Sequence, residues 1–371
     1  MTEQHKHFKN LNIPENILKG IYTYGFNNPS PIQIKGINAI NTKKDCIIQS
    51  QSGTGKTATY LIGIFNNIKK RKCLIVSPTR ELARQIYNVA ISINKFSNHK
   101  ISLLIGGTNL KFDKDTDIFI GTIGRINHVM SKKLLNNISL LVIDEADDIL
   151  SDGVTDDINN IVSSINKNAQ KILISATLSQ NVFDLSNKFL EEPEKILLKK
   201  TEIAVELISQ FYVDVEMEEY KFDVLMDLYN IISTTQAIIF CNTIRKVQWL
   251  TEQLEKENFT ITSIHGKMTQ DERNNIVKDF RDGKTRILLT TDLLARGIDI
   301  PQVNLVVNYD LPINKETYIH RIGRCGRFGK KGVSISMVKM NDRDDVKILN
   351  RMKHYYNIDI NEFPDNIEQY I

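Results

Sequence analysis

Cysteine is scarce and unpaired here. There are four in 371 residues, Cys46, Cys73, Cys241 and Cys325, and none has C-x-x-C spacing. That argues against a zinc site and a disulfide framework. Cys46, Cys73 and Cys241 sit in or beside apolar runs and read as small buried hydrophobes. No apolar run approaches the roughly 20 residues that cross a bilayer. The opening, Met1 to His7, is polar and has no signal-peptide core. A soluble cytoplasmic protein with no membrane partner is the expectation. An excess of one charge is also missing. A net charge of +4, with 25% of residues charged, excludes a polyelectrolyte held to nucleic acid by bulk charge but permits a local basic track. No low-complexity tract interrupts the chain. Asn, Ile and Lys are over-used even in loops, which reads as coding bias rather than chemistry.

What the chain does contain is rhythm. Its length exceeds what one core usually supports, so two domains are expected. Apolar runs at Cys46–Ile48, Cys73–Val76, Ile101–Ile105, Ile118–Ile120, Leu140–Ile143 and Lys171–Ile174 alternate with helix-length segments. The rhythm breaks near Pro193, passes a polar connector at Lys199–Glu202, and restarts. The second series is Ile208–Val213, Ala237–Phe240, Thr260–Ser263, Arg286–Leu289, Val303–Val307 and Val333–Val338. Near-continuous Ile/Val/Leu runs of this kind indicate parallel sheets covered on both faces. The reading is an α/β protein of two domains, 1–200 and 206–371, joined by a short linker.

Two stations carry chemistry on their own. Ser50-Gln51-Ser52-Gly53-Thr54-Gly55-Lys56-Thr57 follows the first apolar run and precedes a segment expected to be helical from Ala58 to Lys69. Strand, glycine-rich turn and helix start together make an anion site, because curled backbone N–H groups and the helix dipole point inward. In G-x-x-x-x-G-K-[ST], Lys56 would reach the β/γ-phosphates of a nucleotide and the Thr57 hydroxyl would ligate Mg²⁺. Ser50 stands at the first Gly. Such a loop also occurs merely to turn a chain, and the flanking strand and helix weigh against that. The second station is Asp144-Glu145-Ala146-Asp147, at the end of the run Leu140–Ile143. Acids at a strand's carboxyl end sit where open α/β sheets bind ligands. Asp144 suits the Mg²⁺ shell and Glu145 suits the orientation and deprotonation of a water. A solvated acidic turn is the plainer alternative, weakened by the phosphate loop upstream.

The acidic tetrapeptide is the name-giving motif of the DEAD-box RNA helicases, and the chain resembles that family from Phe8 to about Val338. Gly25-Phe26 through Gln33 looks like the adenine-reading Q motif, with Phe8 at its upstream place. Pro78–Ala83, Gly106-Gly107 and Gly121–Arg125 are similar to the family's first-domain RNA contacts. Ser175-Ala176-Thr177 is similar to the motif that couples ATP to RNA. Ile239–Thr243, His265-Gly266, Gln270–Arg273, Thr290–Asp292, Ala295–Asp299 and His320–Arg327 follow in order. The resemblance implies two tandem RecA-like domains, ATP and Mg²⁺ as nucleotide and metal, and RNA gripped through its backbone. Each station has a physical reason. The Gln33 amide, donor and acceptor together, suits the adenine N6/N7 edge, and Phe26 offers a stacking face. A helix-surface Gln and a core aromatic are the plainer alternatives. Pro78, Thr79, Arg80, Gly107, Thr122, Arg125 and Thr291 suit phosphate and sugar contacts that do not read sequence. By resemblance Ser175 and Thr177 couple, Gly297 and Asp299 meet the nucleotide, His320 bridges to the acidic motif, and Arg324 and Arg327 act as arginine fingers. Three apart, those two arginines share one face if the segment is helical.

Two departures stand out. Ile123 occupies the family's usual Pro position at a helix start, where Pro only pre-sets φ. Ser50 replaces a more usual Ala or Gly, and no effect is expected. Within the family the likeness is to the translation initiation factor four-A subfamily, with exon-junction-type relatives nearly as similar. A monomer working with regulators of the initiation-scaffold type is implied. The expected activity is RNA-stimulated ATP hydrolysis that closes the two domains and separates short duplexes. An ATP-gated RNA clamp with little unwinding is the rival.

Overall fold

The computed structural model describes residues 7–50, 54–68, 71–107, 113–151, 155–177, 180–197, 208–231, 236–292, 303–325 and 331–364. The chain divides into two compact units, Met1–Leu198 and Lys199–Ile371.

In the first unit, β1 (Cys46–Gln49), β2 (Lys72–Ser77), β3 (Ile101–Leu104), β4 (Ile118–Thr122), β5 (Ile138–Ile143), β6 (Gln170–Ser175) and β7 (Glu194–Ile196) form one sheet among the described residues. Its order is β3-β4-β2-β5-β6-β1-β7, and every pairing is parallel. Parallel neighbours require crossovers, and the crossover helices cover both faces. Successive side chains therefore enter opposite cores. Ile48, Ile75, Val142 and Ile174 join one apolar cluster, while Ile47, Leu74, Leu141 and Leu173 join the other. Each fully buried Leu or Ile contributes roughly 1.5–3 kcal/mol, so the expected strands need no alternation of polar residues. The covering helices are α1 (Glu15–Tyr24), α2 (Pro31–Asn41), α3 (Lys56–Asn67), α4 (Arg80–Ile93), α5 (Ile123–Ser131), α6 (Ala146–Ser151), α7 (Thr155–Ser164) and α8 (Gln180–Phe189).

The second unit repeats the plan. Its strands are β8 (Ile208–Asp214), β9 (Gln236–Phe240), β10 (Ile261–Ile264), β11 (Ile287–Thr290), β12 (Val303–Asn308), β13 (Gly332–Val338) and β14 (Asn361–Glu362). They pair in the order β10-β11-β9-β12-β13-β8-β14, again all parallel. Among the described residues its helices are α9 (Lys221–Ile231), α10 (Ile244–Lys256), α11 (Gln270–Arg281), α12 (Lys315–Ile322) and α13 (Arg343–Tyr356).

Every apolar run read from the sequence coincides with a strand, Ile105, Thr260 and Arg286 falling one residue outside. Two strands were not expected, β7 and β14. Both are short, mostly exposed edges of their sheets, so burial imposes no apolar signature on them. The helix expected from Ala58 begins at Lys56, which brings Lys56 and Thr57 into its first turn. All four cysteines are buried free thiols. Burial pushes the thiols of Cys46 and Cys241 up to about 12 and that of Cys73 well above its ordinary value. Among the described residues no helix is long and apolar enough to cross a membrane.

Register brings the carboxyl ends of the strands level. Gln49 pairs with Ser175 and Ser77 with Thr122 in the first unit, and Phe240 pairs with Thr290 and with Asn308 in the second. Ligand-binding crevices of open α/β sheets form at this edge.

Candidate functional site

The adenine-facing stretch is built from two helix ends. Gly25, at φ 105°, closes α1 in the left-handed conformation, and the Phe26 N–H returns to the Ile21 carbonyl at 3.2 Å. That turn leaves Phe26 half-buried, its ring 4.9 Å from that of Tyr24. Phe8, fully buried, meets Tyr22 edge-on at 6.4 Å. Helix α2 opens on a reciprocal cap in which Ser30 Oγ accepts from the Gln33 N–H and Gln33 Oε1 accepts from the Ser30 N–H at 2.8 Å. Gln33 is thus buried rather than a surface residue of its helix, and its Oε1 is engaged. Its Nε2 lies against Gly55, where a Cβ would come within 2.5 Å of it. Gly55 also has φ 90°, so two independent constraints require glycine there.

Gln51, Ser52 and Gly53 lie outside the described residues. The stem of their loop is tied at three points. Ser50 N–H donates to the Ser175 carbonyl at 3.1 Å, the Ser50 hydroxyl pairs with the Thr54 hydroxyl, and Ser30 Oγ donates to the Thr54 carbonyl at 3.1 Å. Sequence reasoning gave the Ser50 hydroxyl no partner, whereas an Ala or Gly there could not bond Thr54. Lys56 starts α3, is buried, and carries its Nζ 3.6 Å from Glu145 Oε1. Among the described residues that Nζ makes no hydrogen bond. A buried ammonium with one ion pair and no hydrogen bond is incompletely compensated, which fits a further anionic ligand.

The acids occupy the end of β5. Asp144 N–H donates to the Val76 carbonyl of β2 at 2.9 Å. Its carboxylate accepts from the Glu145 N–H at 2.9 Å and from Tyr60 Oη at 2.8 Å. Burial, then the charge of Glu145, pushes the Asp144 carboxyl up to about 7, against the opposing pull of Lys56 and Tyr60. A bound cation would reverse that balance, so the donor set fits a hard divalent metal. Glu145 has φ 51°, a left-handed conformation costing a non-glycine residue about 1–3 kcal/mol of the kind stored at functional turns. Asp147 Oδ2 accepts from both the N–H (3.0 Å) and the Oγ1 (2.6 Å) of Thr177, and Ser175 Oγ donates to the Thr177 carbonyl at 2.5 Å. Sequence reasoning missed Tyr60 and gave Asp147 no role. Tyr60 left one faint signal, its position one helical turn after Lys56.

Arg80, Gly106, Thr122, Gly124 and Arg125 line one depression of about 390 Å³, together with His128. The Arg80 guanidinium lies on Gly106, where a Cβ would fall 2.8 Å from Nη2. Thr79 caps α4 by accepting from the Leu82 N–H at 3.2 Å, and Pro78 precedes it, half-buried. Gly107, exposed, has φ 79°. Ile123 is the first residue of α5 and inserts into the core, so burial replaces the rigidity that Pro would give.

Among the described residues of the second unit Arg321 is the largest fully buried side chain. It donates to Asp292 Oδ1 (2.5 Å), Asn308 Oδ1 (3.4 Å), the Asp310 carbonyl (2.7 Å) and Asn242 Oδ1 (2.8 Å). Its guanidinium also stands 5.2 Å from the Phe240 ring centroid. One side chain thereby ties α12 to the ends of β9, β11 and β12, beside half-buried Thr291. Asp310 is held in turn by Lys246 at 2.7 Å and Lys221 at 3.2 Å. The expectation of a shared helical face for the two arginines is corrected. Helix α12, which carries His320, ends at Ile322 with Gly323 as its C-cap. Arg324 therefore stands beyond the helix, its N–H turned back to the Arg321 carbonyl at 3.1 Å and its Nε to the His320 carbonyl at 3.1 Å. Glycine's cost in a helix explains the stop. Arg327, Gly297 and Asp299 lie outside the described residues.

Residues 30–185 match the family described as DEAD/DEAH box helicase, and residues 220–329 match the helicase conserved C-terminal domain. Over 98% of its length the chain is 46% identical to the ATP-dependent RNA helicase eIF4A of Schizosaccharomyces pombe, covering 95% of that protein. It is equally 46% identical to the ATP-dependent RNA helicase fal1 of the same organism, over 97% of this chain and 93% of that one. Among solved structures it is similar to Saccharomyces cerevisiae Dbp5 bound to RNA and ADP BeF3, with a TM-score of 0.91 and 35% identity, covering 98% of this chain and 97% of that one.

Proposed function

The chain belongs to the DEAD/DEAH box helicases and is an ATP-dependent RNA helicase, and from that premise we propose how its residues divide the work. Phe26 and Gln33 receive the adenine. The loop from Ser50 to Thr57 cradles the phosphates, with Lys56 as the cation on the terminal ones. Glu145 orients the attacking water and takes its proton. Mg²⁺, held through Thr57 and Asp144, would supply charge neutralisation at the phosphate oxygens. Arg324 and Arg327 contribute transition-state charge from the second unit, together with nucleotide contacts at Gly297 and Asp299 and the bridge from His320. The observation that carries this reading is the buried Lys56 ammonium, without a hydrogen bond among the described residues, 3.6 Å from Glu145 at the sheet's carboxyl edge.

RNA is gripped by Pro78, Thr79, Arg80, Gly107, Thr122 and Arg125 in the first unit and Thr291 in the second, without sequence readout. Ser175 and Thr177 couple the two ligands. The second domain begins near 206, and the working form is a cytoplasmic monomer. The process served is translation initiation, for which the eIF4A names of relatives in Schizosaccharomyces pombe and Dictyostelium discoideum are the support. Protein regulators of the scaffold type follow from the same likeness, and a Dbp5 variant has been solved with a gle1 variant. The test is ATP hydrolysis with and without single-stranded RNA, beside release of a short RNA duplex. Strong stimulation with release is expected. Hydrolysis indifferent to RNA would overturn the reading, and RNA retention without release would identify a clamp.

A further inference from the structure

We propose that His128 is an RNA contact of the first unit, donating an imidazole N–H to a phosphodiester oxygen one helical turn beyond Arg125. The proposal rests on the RNA reading of the depression lined by Arg80, Gly106, Thr122, Gly124, Arg125 and His128. No carboxylate is among those residues. His128 is exposed and follows Arg125 by three positions on α5, so the two share a face, spaced about 4.5 Å along the axis.

The rest of the concavity points to the same ligand class. Thr122 caps α5 without a side-chain bond, and a Cβ built at Gly124 would meet nothing within 4 Å. The first turn of the helix, with its partial positive charge, is therefore open on this side. Helix α7, which packs on α5, carries Asp156 and Asp157, and Asn127 engages Asp157 at 2.9 Å. Two guanidinium groups, a helix start and an imidazole lining one hollow suit a ligand with several anionic groups along a chain. A phosphodiester backbone has that form, and it is the polymer on which this enzyme class acts.

The experiment measures binding of a short oligouridylate to the full chain with a non-hydrolysable ATP analogue, across a salt series. His128→Ala is expected to weaken RNA binding roughly 2- to 10-fold and leave nucleotide affinity measured without RNA unchanged. His128→Arg is expected to tighten RNA binding and steepen the logarithmic salt dependence by about 0.7. Arg80→Ala serves as the reference. If Arg80→Ala weakens binding while both His128 variants match the parent, the His128 assignment is overturned and the RNA reading stands. If the parent does not bind, or Arg80→Ala is silent, the RNA reading of the depression fails and the assignment with it. Displacement of the RNA by polyglutamate at equal affinity would also overturn it, by making the hollow an acidic-peptide site.

Discussion

The phenol of Tyr60 donates to Asp144 Oδ2 at 2.8 Å, joining the phosphate-loop helix to the acidic strand end across 84 residues of sequence. Both groups are buried. Burial and the Asp144 charge hold the phenol well above its ordinary pKa, so it remains a donor throughout the working range. Tyr60→Phe removes the donor and leaves one carboxylate oxygen short of a partner. Asp144 should then hold Mg²⁺ less well, by roughly 10- to 100-fold in apparent affinity. The check is a Mg²⁺ titration of RNA-stimulated hydrolysis, with the circular-dichroism spectrum as a control for folding.

Glu145→Gln keeps the shape of the turn but loses the base and the counter-charge of Lys56. Turnover should fall roughly 10²- to 10⁴-fold, while ATP binding persists or tightens because the ammonium is released to the phosphates. Single-turnover hydrolysis beside equilibrium binding of a fluorescent nucleotide separates the two effects. Near-normal turnover would move the base elsewhere.

Gln33 is expected to read the base with Nε2 donating to N7 and with the second lone pair of Oε1, whose first accepts from the Ser30 N–H, accepting from the N6 amino group. Gln33→Ala should narrow the preference for ATP over GTP and also weaken the start of α2, because half of the reciprocal cap is lost. Competition between ATP and GTP reports the first effect, and a thermal melt reports the second at roughly 0.5–2 kcal/mol. Equal use of the two nucleotides by the parent would remove the base-reading role.

Arg321→Lys keeps the charge but cannot reproduce a fork with four acceptors. Asn242, Asn308 and the Asp310 carbonyl would lose donors, and the expected cost is roughly 3 kcal/mol. Thermal unfolding of the full chain should show an earlier transition for the second unit. RNA affinity should fall with it, because Asp292 adjoins Thr291. An unchanged melt would mean that the network contributes little.

The chemistry that was legible in the sequence is chemistry carried by adjacent residues. Lys56 and Thr57 follow their glycine directly, and Asp144 and Glu145 end their strand, so spacing alone reveals them. Buried parallel strands were equally visible, because both faces demand apolar side chains. What escaped was through-space pairing. Nothing near Tyr60 announces Asp144, nothing near Asp147 announces Thr177, and the four acceptors of Arg321 come from three separate segments. The edges β7 and β14 were invisible because exposure removes the apolar run. The helical placement of Arg324 failed because one glycine, Gly323, outweighed the spacing of the arginines.

The buried thiols have a practical consequence for optical work. Maleimide dyes react with exposed thiolates, and every cysteine of this chain is buried, two with thiols pushed up to about 12. The natural sequence therefore already serves as an unreactive background. A cysteine placed on the outer face of α10 and another on that of α7 should take donor and acceptor dyes without first removing the native four. The distance between the labels could then be followed in single molecules as ATP and RNA are added, in a protein whose cores have not been altered.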